Sequence, residues 1–180
     1  MTQFEELLKA LLNEGVEFVV IGGLAANIHG VTVPTYDIDI CYNRSPENLK
    51  RLARALHPLN PTVRAPKDPP FRADEATLKA GLNFTLETRL GDINILGEVG
   101  RIGFYKEAEH ASSEVSMFGL KVRVMSINAL IKSKKFAGRK KDEEMILQLE
   151  AMKEMREKKE INFIEHPFSY RIHYQAYETL

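Results

Sequence analysis

The clearest hydrophobic pattern of this chain is a strict alternation of polar and apolar residues over positions 37–42. Asp37, Asp39 and Cys41 alternate with isoleucine, isoleucine and tyrosine, and this period of two predicts a half-buried strand. A continuous apolar run at 18–21 predicts a second, fully buried strand that ends at a pair of glycines. Between the two strands we expect a short helix over 24–29 and an extended approach through 31–33.

The remaining pattern predicts helices at both ends of the chain and hairpins between them. Apolar residues three and four positions apart predict a first helix up to Gly15, and Ser45-Pro46 is typical of the start of another. A proline-rich stretch at 57–72 predicts a loop that could act as a lid. The other expected elements are a short helix at 74–79, hairpins at 83–96 and 115–125, helices at 104–111, 126–136 and 140–159, and an aromatic tail at 161–180 that could add a strand. This order predicts an α+β fold with a small mixed sheet flanked by helices, including C-terminal helices.

Composition narrows the class of protein further. The 180 residues carry 25 basic and 25 acidic side chains, so no overall charge favours nucleic acid. A single cysteine, Cys41, excludes an internal disulfide and fits a cytoplasmic protein. We find no signal pattern and no apolar run long enough to cross a membrane, and therefore expect no membrane partner.

The candidate chemistry lies on the alternating strand and the glycine pair. Asp37 and Asp39 must point the same way, and two ionised carboxylates side by side need a positive counter-charge. A hard divalent cation such as Mg²⁺ takes carboxylate oxygens and leaves room for phosphate oxygens. Gly22 and Gly23 allow a close approach of the backbone to an anion at the start of a helix. Together these features predict a nucleotide site.

Gly22-Gly23, a spacer and Asp37-Ile38-Asp39 resemble the signature of the DNA polymerase β-like nucleotidyltransferase superfamily. Within it the chain is similar to the small stand-alone enzymes of bacteria and archaea, several of which belong to toxin–antitoxin systems. The resemblance covers about residues 1–150 and implies a nucleotidyltransferase core at 1–125, with a helical extension and tail at 126–180 in the same structural domain. It also implies two Mg²⁺ ions, with Mn²⁺ as a substitute. The implied reaction moves NMP from an NTP, with ATP as the first candidate, to a hydroxyl of a protein, an RNA or a small molecule.

The resemblance also implies roles for individual residues, within the central motif and outside it. Asp37, Asp39 and a third carboxylate would be both catalytic residues and metal ligands, and Asp92 is the available third carboxylate. The residues that the family pattern implies for nucleotide binding are Gly22, Gly23, Thr35, Lys134 and Arg139. Asp142 is expected to pair with a neighbouring base.

Two positions depart from the family pattern and leave an alternative open. Asn94 stands where relatives carry a second aspartate after Gly91-Asp92, and Val33 stands where they often carry arginine. If the working position is 94, an amide cannot accept the acceptor's proton. The alternative is therefore a weakly active or inactive protein of the same fold that binds a partner, as an antitoxin does. The sequence leaves the oligomeric state open between monomer and homodimer, and the G-x-G-x-x-G spacing of a Rossmann dinucleotide site is absent.

Overall fold

The computed structural model describes residues 2–64 and 71–165, with side chains as far as 158 in the last helix. The predicted strands at 18–21 and 37–42 are both present. The strands are β1 (Phe18–Ile21), β2 (Asp37–Tyr42), β3 (Thr62–Val63), β4 (Asn83–Thr88), β5 (Gly91–Leu96), β6 (Glu98–Val99), β7 (Gly103–Phe104), β8 (Ser112–Met117) and β9 (Leu120–Met125).

Helices begin and end largely where the capping residues predict. Ser45, Asp74 and Ser126 each accept a hydrogen bond from a backbone N–H in the first turn of the helix that follows. The helices are α1 (Phe4–Asn13), α2 (Gly22–Ile28), α3 (Pro46–Leu56), α4 (Glu75–Ala80), α5 (Tyr105–His110), α6 (Ile127–Ala137) and α7 (Glu143–Glu165). Short 3₁₀ turns occupy His57–Leu59 and Lys140–Asp142.

Seven strands form one mixed sheet in the order β3-β4-β5-β2-β1-β9-β8. The two hairpins lie on opposite sides of the central β1–β2 pair, which is antiparallel. β5 joins β2 in parallel, and β9 joins β1 in parallel. This order confirms the α+β class and the mixed sheet flanked by helices, and it brings the second hairpin strand directly beside the aspartate strand.

The core follows the alternation of the central strands. Ile38, Ile40, Ile93 and Ile95 have no exposed surface, and they belong to a cluster that includes leucines of α1 and α3. Cys41 is also fully buried, and this burial raises the pKa of its thiol to about 12. It is therefore a small core residue. No helix in the part of the chain that the structure describes is long and apolar enough to span a membrane.

Some boundaries differ from the predicted ones. α2 begins at Gly22 instead of residue 24, and residues 31–33 form no strand because no neighbouring strand pairs with them. The proline-rich stretch contains a 3₁₀ turn and β3, which gains its hydrogen bonds from β4. α7 continues to Glu165, so the first residues of the aromatic tail are helical. The rest of that tail, and the centre of the predicted lid at 65–70, lie outside the described residues.

Candidate active site

Four polar side chains lie on one face where β2 and β5 run side by side. Asp37 is the Cα partner of Asp92, and Asp39 is the Cα partner of Asn94. Because side chains alternate along each strand, all four emerge on the face opposite the buried isoleucines. Position 94 therefore lies beside the aspartate pair.

The Asn94 side chain connects the two aspartates. Its Nδ2 donates to Asp37 Oδ2 at 3.0 Å and to Asp39 Oδ1 at 2.8 Å. Asp92, the Cα partner of Asp37, lies two residues before Asn94 on β5 and has no hydrogen bond to either aspartate among the described residues. The amide, and not the third carboxylate, therefore occupies the space between Asp37 and Asp39.

The glycine pair is fitted closely against this site. Gly22 adopts a φ of +66°, and a Cβ there would overlap the Asp39 carboxylate. A Cβ on Gly23 would lie 2.7 Å from Thr35 Oγ1. Thr35 in turn donates to the backbone carbonyl of Asp37 at 3.2 Å. The structure thus brings five predicted residues into one connected set of contacts: Gly22, Gly23, Thr35, Asp37 and Asp39. Both glycines are required because there is no space for a Cβ atom at either position.

The electrostatics of the site are most unfavourable at Asp39. Burial raises the pKa of its carboxyl, and the negative charge of Asp37 adds to that rise. The Asn94 hydrogen bond, the positive charge of Lys134 and the backbone of Gly23 act in the opposite direction without cancelling it. The protein therefore holds a carboxylate at a place where ionisation is costly, which is common at functional sites.

Lys134 and Arg139 occupy different environments. Lys134 lies on α6, close enough to influence Asp39, and its Nζ contacts Asp142 Oδ1 at 2.9 Å. The expected pairing of Asp142 with a base is thus confirmed, and its Oδ2 is buried without a hydrogen-bond partner in the described region. Arg139 is exposed at the start of the 3₁₀ turn before α7, and no described contact joins its side chain to the carboxylates.

Two contacts of the site were not foreseen from the sequence. Arg64, directly after β3, lies with Nη2 3.4 Å from Asp92 Oδ2 and Nη1 3.9 Å from Asp37 Oδ2. Thr2 donates to the carbonyl of Tyr36 and accepts from the N–H of Asp92 at 3.3 Å. Neither residue belongs to a motif or to a long periodic element, and only the pairing of β3 with β4 brings Arg64 to the site.

Comparison with solved structures decides the fold. A candidate nucleotidyltransferase (TM1012) from Thermotoga maritima superimposes with a TM-score of 0.53 at 20% identity, covering 81% of this chain and 92% of that protein. The antibiotic-resistance factor ANT(2'')-Ia superimposes with a TM-score of 0.56 at 17% identity, covering 97% and 92% of the two chains. The chain has a nucleotidyltransferase-type fold.

This fold does not by itself assign an activity. No protein-family model and no curated protein matches the sequence. The fold places the aspartate strand, the glycine pair and Lys134 together, and the chemistry of the site depends on these residues.

Proposed function

We propose that this protein is a divalent-metal-dependent nucleotidyltransferase. It would bind an NTP, ATP first among the candidates, and transfer NMP to a hydroxyl of a protein, RNA or small-molecule acceptor. The observation that carries this proposal is the close fit of Asp39 against Gly22, beside Asp37, on a strand whose other face is core. A pair of carboxylates, one of them desolvated, against a backbone without Cβ atoms is a site for a cation and an anion together.

The donor set fits one divalent cation. Mg²⁺ is usually held by one or two carboxylates and completes its shell with water and phosphate oxygens, which Asp37 and Asp39 allow. Among the described side chains, no three of the His, Cys, Asp and Glu residues converge into a metal-binding group. Asp37 and Asp39 would therefore hold one ion. A second ion, and Asp92 as a further ligand, remain predictions. When bound, the first ion would neutralise charge on the transferred phosphate.

The other residues would bind and orient the substrates. The backbone at Gly22 and Gly23 would face the β and γ phosphates, with Lys134 supplying positive charge from α6. Arg139 is proposed as a second phosphate contact, reached from its exposed position. Asp92 would accept the proton of the attacking hydroxyl, since it is the remaining carboxylate on the same face.

Asn94 favours a second candidate function. An amide that donates to both aspartates cannot take a proton from an acceptor, so the site could bind nucleotide while transfer is slow or absent. Such a protein would act by binding a partner, in the manner of an antitoxin. The two candidates share the nucleotide site and differ in whether Asp92 works as the base.

The decisive experiment is transfer of label from each α-labelled NTP, with Mg²⁺, to components of a cell lysate. If Asp92 is the base, Asp92→Ala lowers transfer by about 10²–10⁴-fold and Asn94→Asp changes it little. If the base was lost at position 94, the wild type is nearly silent and Asn94→Asp starts transfer, which supports the second candidate. Glu47→Gln, an exposed residue of α3, serves as the control.

A further inference from the structure

Arg64 is a positive charge at the site that the proposed mechanism does not use. Its backbone N–H donates to Thr85 of β4 at 3.3 Å, which fixes the main chain beside the sheet. The side chain is 46% exposed, and its two terminal nitrogens face two different carboxylates, those of Asp37 and Asp92. The backbone is therefore anchored, while the exposed side chain can change its contacts.

The carboxylates of this face have separate counter-charges. The positive charge of Lys134 acts on Asp39, deep in the site, whereas Arg64 lies across the outer pair, Asp37 and Asp92. The neutral amide of Asn94 donates to both Asp37 and Asp39. In the described region Arg64 is the one cation within ion-pair distance of Asp37 or Asp92. A divalent cation bound at Asp37 would take over this neutralising role and repel the guanidinium.

A guanidinium displaced in this way needs a new anion nearby. Its planar fork matches phosphate as well as carboxylate, and it makes two parallel hydrogen bonds to either. The anion that would arrive with the metal is the polyphosphate of the nucleotide. Arg64 lies at the open, exposed side of the site, where the anchored main chain keeps it within reach of such a ligand.

We propose that Arg64 is a phosphate-binding residue that Asp37 and Asp92 hold in place until a divalent cation and a polyphosphate bind. Both roles rest on the proposed function, which places a divalent cation at Asp37 and a polyphosphate beside it. Removing Arg64 should then change two affinities in opposite directions. The free protein should bind metal more tightly, and the metal-loaded protein should bind polyphosphate more weakly.

The test measures binding by calorimetry for the wild type, Arg64→Gln, Arg64→Lys and Arg54→Gln. Arg54 is the matched control because it is also an exposed arginine paired with a carboxylate, Glu14, outside the site. With Mn²⁺ alone, Arg64→Gln should bind about two- to fivefold more tightly, the effect of losing one partly exposed ion pair. With Mn²⁺ and ATP, and with Mn²⁺ and inorganic tripolyphosphate, it should bind about tenfold more weakly. Arg64→Lys should lie between, and Arg54→Gln should match the wild type.

Each arm has an outcome that overturns the inference. Unchanged or weaker Mn²⁺ binding by Arg64→Gln contradicts the competition, and unchanged tripolyphosphate binding contradicts the phosphate role. If the wild type binds ATP and Arg64→Gln binds it equally well, the inference fails and the proposed function stands. If the wild type binds tripolyphosphate but not ATP, the proposed nucleotide function fails, and Arg64 is judged on the tripolyphosphate arm. A wild type that binds neither ligand overturns both.

Discussion

Eight residues of β2 and β5, at 37–40 and 92–95, alternate between two faces of opposite physical character. On one face, four isoleucines are fully buried in the core: Ile38, Ile40, Ile93 and Ile95. On the other, the side chains of Asp37 and Asp92 keep 30% and 27% of their surface exposed. The first face stabilises the fold, and the second concentrates negative charge that Arg64 and Lys134 offset in part. Stability and candidate chemistry are thus separated by a single residue step along the strand.

The largest loss of stability should come from removing a buried side chain from the apolar face. Ile93→Ala should lower the free energy of unfolding by about 2–5 kcal/mol, because it removes buried methylenes and leaves a cavity. Chemical denaturation measures this change. Asp92→Ala, one residue earlier on the opposite face, is the control and should cost far less. A similar loss for both variants would contradict the division of roles between the faces.

A smaller effect is expected where the polar face meets the glycine pair. Gly22→Ala should cost about 1–2 kcal/mol for the left-handed backbone and more for the overlap with Asp39. Gly138→Ala isolates the first effect, because Gly138 has a φ of +60° and nothing within 4 Å of an added Cβ. Denaturation curves of both variants give the difference. Equal losses would show that Asp39 moves aside without cost.

Removing charge from the polar face should stabilise the metal-free protein. Asp39→Asn relieves a buried charge whose pKa is raised, and the new amide oxygen can still accept from Asn94. The melting temperature should rise by about 2–4 °C for each kcal/mol gained, while Mn²⁺ binding is lost. Asp74→Ala is the contrast, because the pKa of the Asp74 carboxyl is lowered by its hydrogen bonds to Thr77 at the start of α4. Loss of the Asp74 carboxylate should lower the melting temperature. If Asp39→Asn lowers the melting temperature as well, the Asp39 charge does not destabilise the protein.

The smallest effect is a dependence on pH. Because folding raises the pKa of the Asp39 carboxyl, the ionised form lowers the stability of the folded protein above the folded pKa. At lower pH the carboxyl is protonated, and this loss of stability disappears. The advantage of Asp39→Asn in melting temperature should therefore be largest near pH 7 and narrow toward about pH 4, the ordinary range of an aspartate. Melting curves of the wild type and the variant across this interval test it. A constant difference would assign the gain to packing instead of charge.

Local signals predicted much of this protein because they act over a few residues. The alternation at 37–42 placed both aspartates on one face, and capping at Ser45, Asp74 and Ser126 placed three helix starts. The same period of two puts Asp92 and Asn94 together on one face of β5. These inferences need only backbone geometry and hydrogen bonds between near neighbours.

The contacts that give the site its character were decided by tertiary structure. Which of Asp92 and Asn94 lies between the aspartates depends on the register of two strands separated by more than forty residues. Arg64 reaches Asp37 and Asp92 only because a two-residue strand pairs with β4 at the edge of the sheet. The sequence by itself determined the strands, the carboxylate face and the glycine pair, because side-chain alternation is a local property. The tertiary structure decided which charges neutralise that face, because ion pairs and register form between residues far apart in the chain.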